Sequence, residues 1–246
     1  MIDLHCHLLP GIDDGPATLA ESVALARMAV ADGITTSVVT PHIHPGRYDN
    51  HRDKIEVYLR AFRMALAQQS IALDVRLGAE VRVSMESLEL LVHEQVPFVG
   101  AHRGWRVLLL ELPHSGVPVG SLQLVDKLLR MQIRPLIAHP ERNKLFMDHP
   151  SRLEPFLAAG CWLQLTAGSI TGDFGKTAQK LAHQLLDDDS VRVVASDAHN
   201  LTSRPPVLSR AHAFIGQRWG LDMANDLMLH HPRQMLGLTR ETDVPA

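Results

Sequence analysis

Cysteine is almost absent from this chain. Cys6 and Cys161 are the only two, which excludes a disulfide-stapled scaffold and a soft thiolate metal site and suits a reducing cytosol. Long hydrophobic runs are missing as well. No stretch approaches the ~20 uninterrupted apolar residues of a membrane span, and the start, MIDLHCHLLPGIDD, has neither the basic region nor the apolar run of a signal peptide. A cytoplasmic protein without a membrane span is expected. There is no excess of positive charge either: the formal net charge of -3 argues against a general nucleic-acid partner, which would call for a basic surface. No Gly-rich phosphate loop occurs, which argues against a nucleotide kinase or GTPase. Repeats, low-complexity segments and linkers are also lacking. With 46% hydrophobic and 21% charged residues, the expectation is one globular domain over residues 1–246.

Aromatic side chains are scarce, and histidine takes their place: 15 histidines stand against 6 Phe, 3 Trp and 2 Tyr. Their placement carries more than their number. Short β-branched runs alternate with amphipathic helical stretches from end to end. The candidate strands are MIDLH, TTSVVTPH, ALDVRLGAE, WRVLLLELP, IRPLIAHPE, CWLQLTAG and VRVVASDAH. Strand and helix in strict turn imply βα units and a parallel sheet. Seven such units suggest an α/β barrel, closed or nearly closed, although an open doubly wound sheet would give the same alternation. In a barrel, the C-terminal ends of all the strands converge on one centre.

Those ends are unusual. The first carries His5 and His7, whose i, i+2 spacing puts both imidazoles on one face while Cys6 points the other way. The next four end in His42, Glu80, Glu111 and His139, and the last in Asp197 and His199, again at i, i+2. Asp13 and Asp14 follow the first strand in a DDGP turn. Each residue has an ordinary reading of its own, as a turn former, a helix cap or a solvated strand end. Together they do not. Four carboxylates gathered beside imidazoles are costly to bury unless cations neutralise them. The candidate ligands His5, His7, Asp14, His42, Glu80, Glu111, His139, Asp197 and His199 are too many for one ion, which takes about four to six. Two or three ions are implied, bridged by a carboxylate such as Glu80. The mixed N/O donors suit Mn, Zn or Fe.

Arg142 in AHPER and Arg204 in SDAHNLTSRPP closely follow candidate ligands, and guanidinium forks match phosphate oxygens. Polynuclear metal plus arginine points to hydrolytic phosphoryl transfer, in which a bridging water of lowered pKa attacks phosphorus. A Cys-x5-Arg phosphatase loop is excluded, because Ile12 and Ala167 stand where the arginine would be needed.

The segments MIDLHCH, DDGP, TPH, GAE, LLELP, IAHPER and VASDAHNLTSRPP resemble, in order along the chain, the polymerase-and-histidinol-phosphatase (PHP) superfamily. They are most similar to its bacterial protein-tyrosine phosphatase branch, which accompanies capsule and exopolysaccharide synthesis. The resemblance implies a distorted (β/α)7 barrel with a trinuclear site, often manganese. By position, a first ion would be held by His5, His7, Glu80 and Asp197. A second would take Glu80, Glu111 and His139, and a third Asp14, His42 and His199. Arg142 and Arg204 would contact phosphate. The implied substrate is the phosphotyrosine tail of a tyrosine kinase of polysaccharide export. The loop IHPGRYDN is less basic than in such relatives; it reads as a mobile surface loop, with His44, Arg47 and Tyr48 as candidate substrate contacts in the competing reading. A phenolic leaving group has a pKa near ~10 and needs little help from an acid, so no dedicated general acid is expected. Competing readings are a histidinol-phosphatase-type or other small-molecule phosphoesterase and a PHP-type exonuclease. An amidohydrolase-type barrel would need a strand-end lysine, and none stands there.

Overall fold

The computed structural model describes residues 1–238, so the last eight residues of the expected 1–246 domain lie outside it. The strands are β1 (Ile2–Cys6), β2 (Thr36–Val39), β3 (His42–Ile43), β4 (Asp74–Leu77), β5 (Glu80–Arg82), β6 (Gly100–His102), β7 (Trp105–Glu111), β8 (Ile133–Ala138), β9 (Trp162–Thr166) and β10 (Val191–Ala195). The helices between them include α1 (Leu19–Ala31), α2 (Arg52–Gln68), α3 (Met85–Val92) and α4 (Ser121–Arg130). α1 starts in a capping box, with Thr18 and Glu21 each bonding the other's backbone. Every residue of β1 is buried, as a strand with helices on one side and a packed interior on the other requires.

The expected second and third strands are each broken in two. β2 and β4 pair with β1's sheet, while their continuations β3 and β5 pair onward to β7. Pro41 lies at the first break and has no N–H for a ladder. Gly78 lies at the second, where an added Cβ would come within 2.6 Å of the Val38 side chain. The shift has a direct consequence: it sets His42 opposite Glu80 and Arg82 opposite Glu111.

From β7 the parallel order runs through β8 and β9 to β10. The ring is completed past the end of β10, where the Asp197 N–H donates to the His5 carbonyl and the His7 N–H to the Ala198 carbonyl, both at 2.8 Å. Buried Asp3 ties the same seam together by accepting from the Ser196 N–H and hydroxyl. The fold is thus an α/β barrel of TIM-like type, distorted by the two strand breaks. Two features depart from the alternation read from the sequence. α3 follows β5 as an additional helix capped by Ser84, and β6 makes an antiparallel hairpin with β7. That hairpin turns on Arg103 and Gly104, both at positive φ, the backbone a two-residue hairpin needs.

Candidate metal centre

All nine candidate ligands stand at the C-terminal mouth of the barrel, and eight of them fall into three groups tight enough to share an ion. These are His5, His7, Glu80 and Asp197; His42, Glu80 and Glu111; and His7, Asp14, His42 and His199. The partition differs from the expected one in two respects. His7 joins the third group as well as the first. His42, rather than His139, accompanies Glu80 and Glu111, because the strand break sets it beside Glu80. His139 lies just past β8 in a left-handed conformation, φ 33°, with Nε2 at 2.8 Å from Glu80 Oε1. Burial and the Arg142 guanidinium push its pKa down to about 3, so it is a neutral imidazole donating from Nε2. To hold a cation at that atom it would shift its proton to Nδ1.

The orientation of the first two imidazoles is fixed from behind. His5 Nδ1 lies 2.8 Å from Gln164 Oε1, and that amide oxygen also faces the His139 N–H, which identifies it as an acceptor. His7 Nδ1 lies 2.7 Å from Asp13 Oδ2. Both Nδ1 atoms therefore carry hydrogen, and both Nε2 atoms present lone pairs. Those two lone pairs face each other at 3.2 Å. Glu80 Oε2 lies 3.3 Å from each of them, and Asp197 Oδ1 lies 3.2 Å from His5 Nε2. Four acceptors converge with no hydrogen between them, and Glu80 Oε2 and Asp197 Oδ1 are buried without a hydrogen-bond partner among the described residues. A buried carboxylate left so is costly. A divalent cation removes the conflict, so these donors fit one. Protons are the metal-free substitute: burial opposes charge on His5, yet Glu80 and Asp197 carry its pKa upward. His7 is likewise raised well above the usual value against its burial, first by Asp13.

The carboxylates reflect the same coupling. Burial would raise Glu80, but His5 and His42 hold it well below the ordinary range. Glu111 goes the other way, pushed up to about 7 by burial and by Glu80 beside it, although Arg82 lies 2.9 Å away. His199 is pushed down to about 4 by burial and His7. Asp14, half-exposed, sits between His42 at 3.3 Å and His199 at 3.4 Å.

Asp197 stands at the centre with φ 52°, a backbone that costs a non-glycine residue ~1–3 kcal/mol. The turn aims its two oxygens in different directions. Oδ1 faces the imidazoles, and Oδ2 accepts from both Arg142 and Arg204. The Arg142 guanidinium also lies 4.3 Å from the Phe174 ring centroid. Asp13, read from the sequence as a turn former, does form the DDGP turn by accepting from the Gly15 N–H, and orients His7 as well. Gly15 is required there, since a Cβ would meet the His7 carbonyl oxygen at 2.6 Å. Gln164 is a partner the sequence hid, a neutral amide in mid-strand without a spacing signal. Neither cysteine serves as a nucleophile: both are buried, and burial pushes Cys161 up to about 12 and Cys6 well above the usual thiol range.

Comparison with known proteins agrees with this geometry. The family model described as "Capsular polysaccharide synthesis, CpsB/CapC" matches residues 1–237. The chain is 36% identical to the tyrosine-protein phosphatase YwqE of Bacillus subtilis, over 83% of this chain and 79% of that one. It is 32% identical to the putative tyrosine-protein phosphatase CapC of Staphylococcus aureus, covering 85% and 81%. A solved structure from work on YwqE of Bacillus subtilis and CpsB of Streptococcus pneumoniae, described as unique metal-dependent tyrosine phosphatases, superposes with a TM-score of 0.90 at 32% identity, covering 98% and 96%. With a family model spanning nearly the whole chain and relatives matched over most of their length, this protein belongs to the CpsB/CapC capsular polysaccharide synthesis family.

Proposed function

We propose that the protein is a metal-dependent phosphomonoester hydrolase that removes phosphate from tyrosine, acting on the tyrosine-rich tail of a kinase of capsule or exopolysaccharide export. The observation that carries this reading is the set of four convergent acceptors, two Nε2 lone pairs and two unpartnered carboxylate oxygens, with two arginines on the far side of Asp197. His5, His7, Glu80 and Asp197 would hold one ion, and the groups around Glu111 and Asp14 would hold two more. Manganese is the first choice, with zinc or iron as alternatives, because the same donors accept all three. Ions bound there supply Lewis-acid activation of water and neutralise charge on phosphoryl oxygens.

The chain's own residues do the rest. Asp197 anchors both guanidinium groups through one oxygen, which leaves further N–H donors of each fork for the phosphoryl oxygens. Donors fixed before substrate arrives need no reorganisation as negative charge develops at phosphorus. Gln164 and Asp13 keep the Nε2 atoms of His5 and His7 free of hydrogen. A phenolate leaves with little assistance, consistent with the depressed pKa values of His114 and His139, the two histidines lowered by burial and by Arg142.

The test is hydrolysis by the full chain stripped of metal and reloaded with Mn, Zn or Fe. It is assayed on phosphotyrosine peptides, histidinol phosphate, a nucleoside monophosphate and labelled DNA. Turnover of phosphotyrosine that needs added metal and exceeds the others supports the proposal. Preference for histidinol phosphate, or digestion of the DNA, would replace it.

A further inference from the structure

The cavity over the ligand groups is about 110 Å³, lined among others by Tyr48, His114, Arg142 and Arg204. A phosphoryl group held by Arg142 and Arg204, whose guanidinium groups meet at Asp197 on the cavity lining, would direct its esterified group toward the rim. Two rim rings stand there, each resting on an imidazole of the floor. Tyr48 stacks on His42 with centroids 5.5 Å apart and planes 9° from parallel. His114 stacks on His139 at 5.3 Å and 20°. Their supports address the two oxygens of Glu80, His42 through Oε2 at 3.1 Å and His139 through Oε1 at 2.8 Å. The rings thus flank the carboxylate at the centre of the site.

Tyr48 is also held in place from its own loop. Its N–H donates to the His44 carbonyl at 2.8 Å, and the His44 N–H returns to the Tyr48 carbonyl at 3.1 Å. Asp49 accepts from the Gly46 N–H at 2.7 Å. Buried Asn50 donates to the Ile12 and His42 carbonyls. A loop the sequence presents as a mobile surface segment is a hydrogen-bonded hairpin docked against the barrel. His114 is half-exposed and reaches Arg142 through Nε2 at 3.3 Å.

From this we infer that Tyr48 and His114 are specificity-determining residues that grip the phenyl ring of an aryl phosphate while the phosphoryl group occupies the cavity below. The inference rests on the phosphatase reading above and extends it to the leaving group. Aromatic faces prefer offset-stacked and edge-to-face contact, and each such contact favours an aryl over an alkyl ester by about three- to tenfold.

The experiment compares kcat/KM for phenyl phosphate and glycerol phosphate with manganese-loaded full-length protein and its Tyr48→Ala, Tyr48→Phe, His114→Ala and His114→Phe variants. Binding of phenylphosphonate and methylphosphonate by calorimetry gives a second readout independent of turnover. The aryl-to-alkyl ratio should fall about three- to tenfold in each alanine variant and persist in the phenylalanine variants, including His114→Phe, which loses the Arg142 contact but keeps a ring. An unchanged ratio in both alanine variants, with both esters still hydrolysed, overturns the inference alone. Wild-type protein that turns over neither ester overturns the phosphatase reading with it.

Discussion

Replacing Asp13 by asparagine should weaken metal binding far more than the loss of a turn residue would suggest. The Asp13 carboxylate accepts three hydrogen bonds: from His7 Nδ1 at 2.7 Å, from the His42 N–H at 3.0 Å and from the Gly15 N–H at 2.9 Å. Both oxygens are occupied, and asparagine has only one. If its carbonyl faces His7, its amide opposes the Gly15 N–H and leaves that donor unpaired. If its amide faces His7, the proton of His7 moves to Nε2, the atom aimed at Glu80 and Asp197. Either arrangement sacrifices a buried hydrogen bond, at ~1–3 kcal/mol. Partners that orient a ligating histidine typically contribute ~10–100-fold in metal affinity, or ~1.4–2.8 kcal/mol at ~1.4 kcal/mol per decade. The assay is competition for Mn or Zn against a chromophoric chelator, with circular dichroism to confirm folding. Phosphotyrosine peptide hydrolysis is followed at limiting and at excess metal. Activity should collapse at limiting metal and return in large part at excess. A folded Asp13→Asn protein with an affinity within about twofold of wild type would refute the claim that this carboxylate sets the tautomer of His7.

Three further outcomes follow from the same geometry. Arg142→Ala and Arg204→Ala should each lower kcat/KM on phosphotyrosine by ~10²–10³-fold, with lysine restoring little because it lacks the planar fork; a loss under about fivefold in both would remove them from phosphate binding. Apparent metal affinity should climb from about pH 6 to about pH 8, since bound protons must leave before a cation enters. Glu111 is pushed up to about 7, and His7 and His42 are raised. Titration calorimetry in buffers of different ionisation enthalpy should show proton release, and a flat profile would contradict it. Glu141 is buried and accepts from the Thr166 N–H at 2.9 Å; burial raises its pKa above the ordinary 4.5. Its contribution to stability is full below that unfolded value and is lost as pH rises through the folded one. Glu141→Gln should therefore gain stability relative to wild type as pH rises above the ordinary 4.5 in denaturant melts, and an opposite trend would place a compensating cation beside it.

How much of this was legible in the chain depends on the range of the interaction. The i, i+2 spacing of His5 and His7 follows from the period of a strand and needs no knowledge of the fold. The alternation of strands with helices predicts a parallel arrangement, and convergence of strand ends in a barrel nominates the ligands. The neighbours of those ligands are another matter. His42 beside Glu80 follows from the breaks at Pro41 and Gly78, a staggering that local periodicity does not encode. Tyr48 shows why a polar loop is hard to read in isolation: its hairpin is pinned by Asn50 to carbonyls on two other segments.

The sequence by itself determined the strand pattern, the donor types and the absence of thiolate ligands, because composition and short-range periodicity are local properties. Only the tertiary structure decided which donors share an ion, that Gln164 and Asp13 turn two imidazoles inward, and that Asp197 divides its oxygens between histidines and arginines. Those are contacts between residues far apart in the chain, 159 positions for His5 and Gln164 and more still for His5 and Asp197. Their distances are set by strand register and barrel closure, and no stretch of chain contains both partners of such a pair.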